Sequence, residues 1–173
     1  METKSKFDEA LSIVDPATYR NALGNFASGV TVLTTKVGDA PVGTTVSAFT
    51  ALSLVPPLIL VSLGIKSETL AHIKRAGFFS VNILSAGQRD LAKRFATSDG
   101  AAKFDGIPYH TGEHGAPLFD GASATLECDL DDCIRGGDHE ILIGFVRSAA
   151  VSPELPPLIY YRGGFAAMKT EGV

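Results

Sequence analysis

The feature that most constrains this chain is a change of apolar period at Gly29. Before it, Tyr19, Ala22, Leu23 and Phe26 recur at helical spacing. They follow Asp15, a good N-cap, and Pro16, whose missing N–H costs nothing in a first turn. That helix is expected to run to Gly29. Beyond it the alternation is of period two. Val30, Val32 and the threonines up to Val37 read as a strand, Gly38–Asp39 as a turn, and Val42–Phe49 as the returning strand. Leu58–Leu63 is a third strand, apolar on both faces and so expected to be buried on both.

Two short helices interrupt this pattern. Ser67 caps one running to about Ala76, with Leu70, Ile73 and Ala71 inward. Ser85 and Gln88 form a capping box for another running to about Ala96, with Leu91 and Phe95 inward. Phe78–Leu84 between them is a strand. Lys103–Gly121 has several glycines, two prolines and no sustained period, and reads as loop. Three strands close the chain near Ala124–Ile134, Asp138–Val151 and Leu158–Arg162, the first two joined at Gly136–Gly137. Strands and helices do not alternate strictly, which disfavours a doubly wound parallel sheet. Successive hairpins predict a mainly β fold, an antiparallel barrel with flanking helices. At 173 residues the chain is expected to be one domain, 1–173, with residues 1–14 as a flexible N-terminus.

Composition narrows the function classes. Hydrophobic residues make up 45% and charged residues 20%, which excludes a disordered or collagen-like chain. A net charge of −4 with no basic block speaks against nucleic acid and anionic lipid as partners. The mean hydropathy of +0.19 leaves apolar surface to be covered, and a second copy in a homodimer is the expected cover. Leu52–Gly64 is too short, and too broken by Pro56–Pro57, to span a bilayer. Met1–Glu9 has no apolar segment of the kind a secretory signal needs. Cys128 and Cys133, an odd number apart on one strand, should face opposite ways and stay reduced, as befits a cytoplasmic protein.

Several chemical signatures fail. Gly24–Gly29 has the glycine spacing of a phosphate loop, but Val30–Thr31 follow where lysine and a hydroxyl are required. There is no dinucleotide fingerprint, and Gly121–Thr125 lacks the second glycine of a nucleophile elbow. His110 and His114, flanked by glycines and without a Cys or carboxylate pair, make no zinc site, so no metal is expected.

What remains is a set of polar positions without charge-relay chemistry. Thr44, Thr45, Val46, Ser47 and Ala48 lead from a strand into a bend. Their hydroxyls and backbone suit the polar edge of a flat ring, or serve an ordinary threonine-rich strand. Lys66, Ser67 and Thr69 gather at a helix N-terminus, where an anion or plain capping would account for them, with Glu68 in partial opposition. Asn82 interrupts an apolar strand and needs partners, either backbone or ligand. His139 follows Gly136–Gly137–Asp138 and matters only if it faces the same pocket.

In this order these residues resemble the flavin reductase-like family, best known as the small reductase components of two-component flavin monooxygenases. The segments that carry the resemblance are Ala27–Thr35, Gly43–Pro57, Phe79–Leu84, Leu91–Phe95, Lys103–Gly106, Gly137–His139 and Tyr160–Gly163, covering nearly all the chain from Tyr19. The resemblance implies a split Greek-key β-barrel of the FMN-binding type, normally a homodimer with flavin near the subunit interface. It implies an NAD(P)H:flavin oxidoreductase taking FMN or FAD, with NADH or NADPH as hydride donor, and reduced flavin passing to a partner oxygenase. By the same resemblance Thr44–Ala48 run along the isoalloxazine edge, with Ser62 and Gly64 nearby. Lys66, Ser67 and Thr69 take the ribityl-phosphate end, and Asn82 lies by the flavin. His139 contacts the nicotinamide nucleotide, helped by Tyr161 and Arg162. Two positions depart from the family pattern: Val55 replaces an acidic residue and Ala48 a serine, which leaves the flavin preference open. A flavin-holding electron carrier or sensor is the alternative, as is a split barrel for another ligand such as a phosphorylated vitamin or haem.

Overall fold

In a computed structural model of the chain the described residues are 14–97, 100–166 and 168, so the expectation for the N-terminus falls almost wholly outside them. Helix α1 (Pro16–Leu23) starts as anticipated, with Asp15 Oδ1 accepting from the N–H groups of Ala17 and Thr18, both at 3.0 Å. It stops at Leu23 and not at Gly29. Tight backbone bonds from Asn25 to Ala22 and from Phe26 to Leu23 unwind the end, and none of its residues is buried. The apolar stripe read there lies at the surface.

After the two-residue strand β1 (Ser28–Gly29), β2 (Thr31–Val37) and β3 (Ala40–Val46) form the predicted hairpin. The return strand ends at Val46, however. A separate strand, β4 (Phe49–Leu54), turns back at a cis Val55–Pro56 bond into β5 (Pro57–Gly64). One face of β5 is buried through Ile59, Val61 and Leu63, whereas Leu58 and Leu60 are only half-buried.

Helix α2 (Glu68–Ala76) is capped by Ser67 and closed by Gly77, which takes the left-handed φ of 77° that a side chain resists. Leu70 and Ile73 point inward with Thr69. Ala71 is exposed, because the helical period puts it nearly opposite that face. Strand β6 (Phe78–Ile83) follows, then a 3-10 turn (Ala86–Gln88) and α3 (Arg89–Phe95). The Ser85 N–H donates to Gln88 Oε1 at 3.1 Å, and Ala92 and Phe95 are buried.

The stretch read as loop holds more order than expected: a 3-10 segment (Gly100–Phe104) and a small hairpin, β7 (Tyr109–Thr111) with β8 (Pro117–Phe119). Strands β9 (Ala124–Gly136), β10 (His139–Val151), β11 (Ile159–Tyr161) and β12 (Gly164–Ala166) complete the chain. The last of these was not anticipated.

Seven strands make one antiparallel sheet in the order β3-β2-β6-β9-β10-β5-β4. Its two edges, β3 and β4, are consecutive in sequence and joined only by Ser47–Ala48. The barrel is therefore split between them. Alternation along β2 serves two cores. Leu33 packs with Val61, Ile73, Phe79, Val81 and Leu142, whereas Val32 packs with Leu84, Phe95, Phe104, Phe119 and Leu158. Phe95 and Phe104 meet edge to face at 4.8 Å.

A bulge corrects the cysteine reading. Leu130 pairs with Gly144 and Asp132 with Ile143, so Asp131 is an extra residue that resets the alternation. Cys128 and Cys133 thus pack against the same core instead of opposite faces. Both are free, and five residues of strand still separate them by roughly 16 Å, too far for a disulfide. Burial, aided by Asp129 and Glu127, pushes the Cys128 thiol up to about 12.

At Gly144 the paired strands β9 and β10 lie close against the core. A Cβ there would lie 2.6 Å from Phe79 Cζ and 3.0 Å from Ile59 Cδ1. Phe79 is buried and has nowhere to go. Gly144→Ala should therefore lower stability by about 1–3 kcal/mol, read as a fall in the urea midpoint at unchanged slope.

Candidate functional site

The split in the barrel organises the polar positions. The backbone crosses it at Ser47–Ala48, both exposed, and the Ala48 carbonyl is held by the Ser62 N–H of β5 at 3.0 Å. As an edge strand, β3 leaves half of its backbone groups unpaired along the opening. Two clefts border it. The smaller, of about 300 Å³, is lined by Gly43, Thr44, Lys66, Ser67, Thr69 and Lys103 among others. The larger, of about 860 Å³, includes Ser47, Ala48, Tyr160 and Arg162 in its wall. Thr44 and Ser47 are three residues apart on one extended segment, so the clefts are reached from points roughly 10 Å apart.

The smaller cleft opens at the start of α2. Ser67 Oγ caps the start of α2, accepting from the Leu70 N–H at 3.4 Å, and the Ser67 N–H is itself tied to the Gly64 carbonyl at 2.8 Å. Lys66 is exposed at the rim and Thr69 is buried beneath. Lys103, which the sequence reading passed over, enters from the opposite wall; it is buried and its Nζ reaches the Gly43 carbonyl at 3.4 Å. Gly43 leaves room for this crowding, since a Cβ would lie 2.9 Å from the Leu33 carbonyl and 3.1 Å from the Phe95 ring. Glu68 also lines the cleft, as the one carboxylate among the described residues of its walls.

The remaining positions divide. Thr45 spends its hydroxyl on the Ala92 carbonyl of α3 at 2.7 Å, and Val46 is a core residue. Ser62 and Gly64 lie half-buried on β5, beside the split and outside both clefts. His139 pairs with Gly64 across the β5–β10 ladder, and its Nε2 lies 3.9 Å from where a Gly64 Cβ would be. Its Nδ1 is 2.8 Å from Asp138 Oδ1, a bond that holds the Asp138 carboxyl below the usual carboxylate range. The Asp138 carbonyl accepts from the Ile65 N–H at 3.0 Å, tying the histidine turn to the start of α2. Tyr161 lies under the Arg162 guanidinium at 5.2 Å, and it is Tyr160 that borders the larger cleft.

Asn82 is brought to neither cleft. It is fully buried, its amide donating to the Val32 carbonyl, Thr34 Oγ1 and the Pro117 carbonyl at 3.2, 3.3 and 3.4 Å, and its Oδ1 accepting from the Phe119 N–H at 2.7 Å. Of the two partners the sequence allowed it, the structure supplies the backbone, together with one hydroxyl. Its work is to fasten the β7–β8 hairpin onto the sheet. Among the described residues no group of three or more His, Cys, Asp or Glu side chains is placed to hold a metal ion, and no helix is long and apolar enough to cross a membrane.

Comparison with known proteins gives one consistent result. Residues 23–169 match the family described as "Flavin reductase like domain". The reductase subunit of a flavin-dependent monooxygenase from Mycobacterium tuberculosis is 38% identical over 160 residues, 91% of this chain and 85% of that protein. The reductase component of a 4-nitrophenol 4-monooxygenase/4-nitrocatechol 2-monooxygenase from Rhodococcus opacus is 43% identical over 155 residues, 90% of this chain and 82% of that one. An NADH:FAD oxidoreductase of Streptomyces globisporus C-1027, solved with NAD and FAD fragments, superposes with a TM-score of 0.87 at 35% identity, covering 94% of this chain and 100% of that chain.

The placement of Asn82 separates a structural role from a ligand-binding one. Asn82→Ala strands the Phe119 N–H in the core, which should cost about 1–3 kcal/mol in denaturant unfolding. Flavin affinity measured on the folded fraction should stay at the wild-type value.

Proposed function

The chain belongs to the flavin reductase-like domain family, and on that premise we propose that it is an NAD(P)H-dependent flavin reductase that supplies reduced flavin to a partner monooxygenase. The observation that carries the site assignment is that one extended segment reaches both clefts, the smaller at Thr44 on edge strand β3 and the larger at Ser47–Ala48 just beyond it. When bound together, nicotinamide and flavin supply the chemistry themselves, a hydride passing from nicotinamide C4 to flavin N5. The protein has to hold two flat rings face to face and keep them there. That demand explains why no nucleophile or paired carboxylate is needed.

The residues divide that task. Backbone groups from Thr44 to Ala48 take the polar edge of the isoalloxazine; Thr45 and Val46 act through the main chain only, their side chains being engaged elsewhere. Ser62 and Gly64 border the ring from β5. Lys66, Ser67 and Thr69, with Lys103 opposite, receive the ribityl-phosphate, where free N–H groups at the start of α2 and two ammonium groups favour negative charge. His139 positions the nicotinamide nucleotide: Asp138 orients its ring from the Nδ1 side, and Gly64 leaves the Nε2 side uncrowded. Asn82 supports the fold beneath.

A homodimer completes the reading. Leu54 and Val55, at the tip of the β4–β5 hairpin, are 89% and 92% exposed, and Val151 is 72% exposed. Apolar surface of that kind is expected to meet a second copy. Two free cysteines fit a reducing, cytoplasmic setting.

Anaerobic mixing with NADH or NADPH and either FMN or FAD tests the activity. The visible flavin absorbance should be lost within the mixing experiment; persistence of colour with both nucleotides would leave an electron carrier in place of an enzyme. His139→Ala should raise the KM for the nicotinamide nucleotide and slow reduction by about tenfold or more, with flavin Kd nearly unchanged. Wild-type rate and KM in that variant would reduce His139 to a turn residue.

A further inference from the structure

The turn that presents His139 is a soft place for a residue with a positional task. Gly137 and Asp138 connect β9 to β10, and every residue from 135 to 139 is exposed, so burial does not hold the turn in place. Gly136 and Gly137 give its backbone wide freedom, and Gly137 uses that freedom at a φ of 61°. Within the turn, Arg135 Nε donates to the Gly137 carbonyl at 2.7 Å, and Asp138 holds the His139 ring. Those bonds shape the turn but do not fasten it to the body of the protein.

Its fastening lies on either side of His139. On one side the Ile65 N–H, just ahead of α2, donates to the Asp138 carbonyl at 3.0 Å. On the other, Glu140 shares a face of β10 with Leu142, part of the core that also holds Leu70 and Ile73 of α2; His139 faces the other way. Lys74, in the last turn of α2, donates to both Glu140 oxygens at 2.8 and 3.1 Å. The Glu140 side chain is only 17% exposed, so its carboxylate is largely withdrawn from water and the ammonium compensates it. Each keeps the other charged: the bond holds Lys74 above its ordinary range and Glu140 below its own. The two ends of this tether are unequal. Helix α2 is anchored by buried Thr69, Leu70 and Ile73, whereas the turn has no buried residue, so the helix is the fixed point and the turn is the part held.

We propose that Lys74 and Glu140 are a positioning pair for the hydride donor: their ion pair clamps the start of β10 to α2 and thereby fixes the angle at which His139 meets the nicotinamide nucleotide. The proposal rests on the reductase reading above, in which His139 has that task. Magnitudes favour a geometric role over a stabilising one. A partly exposed ion pair adds little to global stability, whereas displacing a positioning group by about 1 Å can cost about 100-fold in rate. Flavin should not sense the pair, because its phosphate is received at the opposite end of α2, by Ser67 and Thr69.

Lys74→Met and Glu140→Gln test the pair in the full chain. In hydrogen exchange without any ligand, the amides of residues 137–140 should exchange about tenfold faster in either variant, with those of residues 70–73 unchanged. The KM for the nicotinamide nucleotide should rise about three- to tenfold, with the Kd for FMN and FAD within about twofold of wild type. Lys74→Arg keeps the cation and should restore both readouts. Added to His139→Ala, Lys74→Met should raise KM no further, because its effect passes through that imidazole. Unchanged exchange, unchanged KM, no restoration by arginine, or additive effects of the two substitutions overturns the proposal. So does a rise in flavin Kd as large as that in KM, which would make the pair a support of the helix. The reading it rests on fails on separate results: if His139→Ala itself behaves as wild type, or the wild type reduces no flavin, the role of His139 falls and the pair's role with it. An impaired His139→Ala beside a normal Lys74→Met overturns the pair alone.

Discussion

Two thirteen-residue strands, β9 and β10, pair along almost their whole length, and the rest of the large sheet hangs from their outer edges. Strand β6 joins β9 and carries β2 and β3; strand β5 joins β10 and carries β4. Register shifts on either side of Asp131 and Arg147 put a bulge in each member of the ribbon. Bulges bend a strand and increase its twist, so the two arms curl toward each other. Their far edges, β3 and β4, are then near enough for two residues to connect them. Gly144 belongs to the same constraint, because the ribbon can lie against Phe79 only where it has no side chain.

Much of this was legible in the sequence. The hairpin β2–β3, the caps of α1 and α2 and the pairing of β9 with β10 all follow from local chemistry: a turn dipeptide, an Asp or Ser ahead of a helix, a glycine pair between apolar runs. The errors share a cause. The period at Val42–Phe49 runs on through Ser47–Ala48, so nothing local marks the point where the chain leaves one edge of the sheet for the other. The helical stripe of Tyr19, Leu23 and Phe26 has the right spacing for a core face but no core opposite it. The short β7–β8 hairpin is fastened to the sheet by a bond between Asn82 and Phe119, residues 37 apart, and no short window of sequence contains that bond.

The site divided along the same line. Lys66, Ser67 and Thr69 are close in sequence and sit together at a helix start, as a reading of spacing can find. Lys103 reaches the same cleft from a 3-10 segment far along the chain, and Arg20 and Arg162 line one cleft only because β11 pairs back to β1. Asn82 shows the opposite failure. A polar residue in an apolar strand announces a need for partners, but whether a ligand or a carbonyl meets that need depends on what folds over it.

The break between β3 and β4 has a dynamic consequence. No hydrogen-bond ladder crosses it; at the junction the Ser62 N–H donates to the Ala48 carbonyl and the Phe49 N–H to the Ser47 carbonyl. Widening it leaves every strand pair of the large sheet intact, so it takes a local fluctuation and not the unfolding of a sheet. A barrel with a closed ladder would have to break several backbone bonds to admit a ring the size of a flavin. Here the entrance is a joint, soft at one dipeptide and stiff on both sides. Amide protons at Ser47–Phe49 should exchange with solvent on the timescale of that breathing, while those of the β9–β10 ribbon wait for the whole molecule to open.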